Sequence, residues 1–302
     1  MKILKNHEFF QYHIAIFGLG YESRSTHVFK KNHQKCNRCI VLGYDTNTDK
    51  FNYKKNKQIF LNQNCNIIED NDDKTSTDFI SILNELNFTD PINILIDITV
   101  MTRHRLAFII WNILEKLPKG SIVDIKYSLS KYISPPQEST PVKKIGEIIK
   151  PLTGGLGDLS KPSVLVMGLG YEKNKALGVA NYLDLGNVFI FIPKSPQNDF
   201  EAQVVQQNED LLSTLPENHI FKYDVKSPYS TYLDLKSLIT GLSITSRPLL
   251  LPLGPKILAA ISVVLGKELS PSLPVWRVSS EHSEQAVERA ATDDDINFII
   301  EI

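Results

Sequence analysis

Short apolar runs recur along the chain, and between them apolar residues return at three- and four-residue spacing. The runs predict strands near 13–18, 39–44, 65–68, 92–98 and 122–128, and again near 163–168, 187–192, 219–224, 247–253 and 274–279. The intervening stretches carry helical periodicity. Strands alternating with helices predict an α/β fold with mostly parallel sheets covered by helices. The clearest units are Ile92-Asn-Ile-Leu-Ile-Asp-Ile98 leading into Leu106–Leu114, and Pro248-Leu-Leu-Leu-Pro-Leu253 leading into Ile257–Leu265. A buried strand followed by a buried helix is a right-handed crossover. Its connecting loop lies at the carboxyl edge of the sheet, where ligands of open α/β sheets bind.

The two sets of strands run in parallel, and one stretch nearly repeats. Ile14-Ala-Ile-Phe-Gly-Leu-Gly-Tyr-Glu22 returns as Val164-Leu-Val-Met-Gly-Leu-Gly-Tyr-Glu172, 150 positions later in a chain of 302. A duplicated strand and loop predicts two copies of one α/β unit and a ligand site in a cleft where the paired loops meet. Turn formers in Ser134–Pro141 and Pro151–Gly157 put the boundary between about 134 and 161. The expected organisation is a first domain at 1–140, a linker at 141–161 and a second domain at 162–302. The final Ile296–Ile302 reads as a last strand, at a sheet edge.

Composition supports two cores. A chain of 302 residues with 42% hydrophobic content exceeds the usual size of one domain. Net charge is −1, but residues 1–150 carry 21 Lys/Arg against 16 Asp/Glu and the remainder 12 against 18. Such asymmetry suits mutual attraction of the halves or, as the less favoured reading, a nucleic-acid face on the first. No apolar stretch is long enough to span a membrane, and the opening residues lack the apolar core of a secretory signal, so the expectation is a cytoplasmic protein. Cys36, Cys39 and Cys65, with His33, could ligate zinc. Because Cys39 opens an apolar run, ordinary reduced thiols and no metal are favoured.

Candidate chemistry gathers in the loops. In the first copy, Gly18, Gly20, Glu22 and Arg24 follow a strand; in the second, Gly168, Gly170, Glu172, Lys173 and Lys175 do so. Glycines after a strand allow close backbone approach, and a following helix N-terminus favours an anion. Arg24 would fork a phosphate and Lys175 supply a point charge. The alternative is that the glycines only make a turn and the glutamates cap a helix. The dinucleotide pattern lacks its third glycine, which is Ser23 or Lys173, so no resident cofactor is expected.

The loop Asp97-Ile-Thr-Val-Met-Thr-Arg-His-Arg105 is denser still. Charged groups at an apolar junction need partners, either each other or a polar ligand. The ligand reading has Thr99 and Thr102 as hydroxyl donors, Arg103 as anion partner, and Asp97 orienting either. The matching loop in the second half offers Gly254 and Lys256. At the next strand ends, Tyr132 and Trp276 offer flat faces on which a base could stack, although aromatics there are more often core or rim residues.

With these paired loops the chain resembles the CARF sensor domains, and their fused tandem form SAVED, of prokaryotic defence systems. The resemblance implies two tandem Rossmann-like three-layer domains related by internal duplication that bind cyclic oligonucleotides. Gly18–Arg24 and Gly168–Lys175 would fill the role of the family's first loop. Thr99–Arg103 and Gly254–Lys256 would fill that of its fourth-strand loop. It also implies an antiphage role and an effector on a separate protein chain. Three functions stay open: a sensor or regulatory subunit binding a nucleotide or other phosphorylated small molecule; a nucleotide-directed hydrolase using Asp97 or Glu22 with Arg103; and a structural subunit of a larger complex.

Overall fold

Each apolar run becomes a strand in the computed structural model, which describes residues 1–86, 88–134, 141–196, 198–280 and 285–302. In chain order come β1 (Lys2–Leu4), β2 (Tyr12–Gly18), α1 (His27–Asn32), β3 (Cys36–Gly43), α2 (Tyr53–Leu61), β4 (Asn66–Glu69) and α3 (Asp72–Glu85). There follow β5 (Asn93–Asp97), α4 (Arg103–Lys116), β6 (Ile122–Ser130), β7 (Lys144–Glu147), β8 (Ser163–Gly168) and α5 (Lys175–Leu183). The chain continues through β9 (Asn187–Lys194), α6 (Asn198–Gln207), α7 (Glu209–Leu212), β10 (Ile220–Asp224), α8 (Pro228–Thr245) and β11 (Arg247–Pro252). It closes with α9 (Lys256–Glu268), β12 (Trp276–Ser279) and β13 (Ala291–Glu301). The chain separates into two compact units, Met1–Lys131 with Ala286–Ile302, and Tyr132–Gln285.

The first unit holds a seven-stranded sheet in the order β1-β13-β6-β5-β2-β3-β4. Strands β2 to β6 are parallel, β13 runs antiparallel to β6, and β1 antiparallel to β13. The parallel part reverses its order between β2 and β5, the position at whose carboxyl edge open α/β sheets bind ligands. On one face Ala15, Phe17, Val41 and Leu95 pack against Phe29 of α1 and Phe60 of α2. The rings of Phe17 and Phe29 meet edge to face at 5.1 Å.

The second unit holds a four-stranded parallel sheet, β10-β9-β8-β11, whose order reverses between β8 and β11. Leu165, Met167, Ile190, Ile192 and Leu251 pack against Ala176 and Val179 of α5. Residues Ile257 to Gly266 of α9 are all buried, as expected of a helix that is apolar all round. Among the described residues no helix is long and apolar enough to cross a membrane.

Two sequence expectations are corrected here. The carboxy-terminal strand, expected to close the second half at a sheet edge, lies inside the first sheet between β1 and β6. Its buried Ile296, Phe298 and Ile300 match the alternation of β6, whose backbone would otherwise be an open edge. The fifth strand expected at 274–279 leaves the second sheet: β12 pairs antiparallel with β7, which arises within the expected linker 141–161. The Leu250–Val275 bridge and the Leu250 amide on the Pro274 carbonyl join the residues just before it to β11. The turn-rich residues 135–140 lie outside the described residues.

Candidate functional site

The two Gly-Leu-Gly-Tyr-Glu loops adopt matching local structures. Leu19 and Leu169 are fully buried, and their amides donate to the Leu42 and Phe191 carbonyls at 2.9 and 3.0 Å. A buried asparagine anchors each loop: Asn56 Nδ2 donates to the Gly20 carbonyl and Asn208 Nδ2 to that of Gly170, both at 2.8 Å. Asn56 also reaches the Glu22 carbonyl at 2.9 Å. Each tyrosine meets a phenylalanine, Tyr21 with Phe51 at 5.9 Å and Tyr171 with Phe200 at 5.4 Å.

The glycines serve the protein's own packing. A Cβ on Gly18 would lie 2.8 Å from Val100 Cγ2, and one on Gly20 3.1 Å from Val100 Cβ. In the second unit a Cβ on Gly170 would lie 3.3 Å from Gly254 Cα, and one on Gly168 2.9 Å from the Leu253 carbonyl oxygen. Gly254 adopts φ +75°, where its missing Cβ would fall 2.0 Å from the Leu169 carbonyl oxygen. Within each unit, then, the loops after the two strands that flank the order reversal press on each other.

In the first unit Glu22 and Arg24 are buried and paired. Arg24 Nε donates to Glu22 Oε2 at 2.5 Å and Nη1 to the Ser128 carbonyl at 2.8 Å. Arg289 Nη1 approaches Glu22 Oε1 at 3.5 Å. Glu22 is therefore flanked by two guanidiniums and does not cap the short helical turn that follows it. Buried charges are tolerated in such pairs and strongly disfavoured alone.

Asp97 ends β5 with no exposed surface. Its Oδ1 accepts from the Thr99 amide at 3.0 Å and the Thr99 hydroxyl at 2.5 Å, while Oδ2 is buried without a hydrogen-bond partner. Burial pushes its pKa up to about 7, against the Thr99 hydrogen bonds and Arg24; Asp295 adds to the rise. A carboxyl that exchanges its proton near neutrality suits proton transfer or hydrogen-bond donation as a neutral acid. Thr99, fully buried, also accepts from the Ser128 amide at 3.0 Å.

Thr102 caps α4, accepting from the Arg105 amide at 3.1 Å. Arg103 opens the same helix and is half-buried. The neighbouring Arg105 is a structural staple: it donates to Asp72 at 2.8 Å and to the Gly43 and Asp70 carbonyls, and stacks on Tyr44 at 3.7 Å. In the second unit Lys175 Nζ lies 3.6 Å from Glu172 Oε1, and Lys256 opens α9, which has no side-chain cap. Of the two aromatics at later strand ends, Trp276 begins β12 rather than ending it, and its indole donates to the Thr153 carbonyl at 3.3 Å.

Sequence reasoning missed a polar layer beside Asp97. Register aligns Asp97 with Lys126, Lys126 with Asn297, and Ser128 with Asp295, so these side chains share one face of β5, β6 and β13. Asp124 accepts from Tyr12 Oη at 2.6 Å and pairs with Lys126 at 3.0 Å; Lys126 donates to Asn297 at 3.1 Å. From α1, Lys31 meets Asp295 at 2.7 Å and His27 approaches it at 3.4 Å. Burial, the largest influence on His27, lowers its pKa. The Thr26 and Ser128 hydroxyls, Asp124 Oδ1, Asp295 Oδ1 and His27 Nε2 are buried without hydrogen-bond partners. The available signal is the alternation Asp124-x-Lys126-x-Ser128 between the apolar Val123, Ile125, Tyr127 and Leu129 of the same strand.

Among the described residues no group of three or more His, Cys, Asp or Glu side chains is placed to hold a metal ion. No family model matches the chain, and no curated protein matches it.

Proposed function

We propose that this chain is a sensor or regulatory subunit that binds a nucleotide or another phosphorylated small molecule at the carboxyl edge of its sheets and acts through a separate effector protein. The observation that carries this reading is the direct packing of the two loops at the order reversal in each unit, through Gly18 and Gly20 on Val100 and through Gly170 on Gly254. A ligand that shifts one loop must shift the other, which is how a binding site passes on its occupancy. Arg103 and Lys256 open the helices at these edges and supply cationic groups, and helix N-termini favour anions. Glu22 is held between Arg24 and Arg289, which favours binding over attack by that carboxylate.

Two finer readings belong to the same proposal. The matching Asn56 and Asn208 anchors and the shared position of the order reversal support two Rossmann-like domains related by internal duplication. The resemblance to CARF and SAVED sensors suggests a cyclic oligonucleotide and a defence role. The test is thermal unfolding with mono-, di- and cyclic nucleotides. Ligand at about 100 times its dissociation constant adds about 2.7 kcal/mol of stability. That gain is expected to vanish in Arg103→Ala or Lys256→Ala. No stabilisation by any phosphorylated compound rejects the reading.

One observation favours a second reading. The near-neutral pKa of Asp97 suits a general acid or base in a nucleotide hydrolase once the loop that buries its carboxyl opens to substrate. Turnover of a nucleotide panel, followed by chromatography, is then expected to stop in Asp97→Asn while binding persists. Product formed at an unchanged rate removes Asp97 from any catalytic role.

A further inference from the structure

At the amino edge of the first sheet, away from the loops described above, the three cysteines of the chain come together. Cys36 and Cys39 lie on β3 and Cys65 directly precedes β4 beside Cys39, and all three are free thiols. Cys36 and Cys39 line an open cavity of about 650 Å3 together with His33, Arg38 and Asn64. Cys65 sits behind it, 8% exposed, packed among Phe29 and Phe60. A half-exposed thiol lining an open cavity thus lies beside a buried one on the next strand.

We propose that this cluster is a peroxide-oxidisable site in which Cys39 is the attacked thiol and Cys65 the resolving one. Cys39 is the half-exposed member of the adjacent pair: the neighbouring Cys36 and Cys65 thiols and, less strongly, His33 lower its pKa against burial, while the Cys36 thiol itself donates to the Asn32 carbonyl at 3.2 Å. The neighbouring Cys39 sulfur and burial hold the Cys36 and Cys65 thiols above their ordinary range. The thiolate is the nucleophile in thiol oxidation. Cys39 sulfur attacks one oxygen of hydrogen peroxide, the O–O bond breaks, and hydroxide leaves. Sulfur loses two electrons to the peroxide and becomes a sulfenic acid. The Cys65 sulfur then attacks the Cys39 sulfur, forming the disulfide and displacing hydroxide, which leaves as water with the Cys65 proton.

Strand geometry selects the resolving partner. Cys39 and Cys65 each precede the Ile40–Asn66 pair, so they are neighbours on adjacent parallel strands. Such strands lie about 4.8 Å apart, within the roughly 4.4–6.8 Å that a disulfide spans between Cα atoms. Cys36 and Cys39 are three steps apart along the same strand. At about 3.3 Å per residue that is about 10 Å, too far for a bridge without moving the backbone.

The experiment treats the full chain with hydrogen peroxide, blocks remaining thiols with N-ethylmaleimide, and maps peptides by mass spectrometry. The expected product is a Cys39–Cys65 disulfide, with Cys36 alkylated. Cys36→Ser keeps the bridge, and Cys65→Ser accumulates a dimedone-reactive sulfenic acid on Cys39. Without any substitution, limiting iodoacetamide at pH 6 is expected to label Cys39 at least about ten times faster than Cys36 or Cys65, following the thiolate fraction. A Cys36–Cys39 bridge, sulfenic acid on another cysteine, or equal alkylation of all three overturns the proposal.

Discussion

Arg24 Nε donates to Glu22 Oε2 at 2.5 Å, with side chains only 4% and 9% exposed. This pair closes the loop that the sequence marks as a phosphate cradle, and its energetics can be read by substitution. Glu22→Gln leaves the Arg24 charge buried with only neutral partners, and breaking a buried pair costs about 3–5 kcal/mol. The expected outcome is a lower urea midpoint for Glu22→Gln, largely recovered in Glu22→Gln/Arg24→Met. Equal midpoints for wild type and Glu22→Gln would show that the pair contributes nothing.

Asp97 should make stability depend on pH. Its carboxyl releases a proton near 3.8 when unfolded and near 7 when folded. Between these values the unfolded chain carries fewer protons, so stability falls as pH rises from about 4 to about 7 and is level above. At about 1.4 kcal/mol per unit the loss is on the order of 4 kcal/mol. His27, kept neutral by burial, acts the opposite way by weakening the fold as pH falls. Asp97→Asn retains His27, so the difference between the two proteins isolates the aspartate. The variant should gain on wild type from pH 5 to pH 8; parallel curves would contradict this origin.

Asn56 and Asn208 should matter alike. Asn56→Ala strips partners from the buried Gly20 and Glu22 carbonyls, and Asn208→Ala from that of Gly170. Each lost partner costs about 1–3 kcal/mol. Hydrogen exchange should show the loosening at residues 19–25 for the first and 169–175 for the second. Protection unchanged at these amides would dismiss the anchoring role.

Backbone strain separates two glycines. Gly254→Ala forces a Cβ to 2.0 Å from the Leu169 carbonyl oxygen at φ +75°, and should cost about 2 kcal/mol or more. Gly18→Ala meets the Val100 side chain at 2.8 Å instead. Trimming that neighbour, in Gly18→Ala/Val100→Ala, should restore part of the melting temperature. Full tolerance of Gly254→Ala would refute the strain argument.

The sequence by itself determined the local elements. Apolar runs became β2, β5, β8 and β11, and the helical periodicity after them became α4 and α9, because period and burial are properties of neighbouring residues. The Gly-Leu-Gly-Tyr-Glu repeat marked two loops that fold alike, since their glycines answer the same crowding by the following crossover loop. Tertiary structure alone decided which strands pair. β13 returned to cover β6, and β12 left its expected sheet for β7, because an open strand edge is satisfied by whichever segment reaches it, at any distance in sequence. The same long-range pairing gathered Asp97, Lys126, Ser128 and Asp295 onto one face and shifted the proton affinity of Asp97. Burial caused that shift, and burial belongs to the assembled sheet and helices rather than to any stretch of chain.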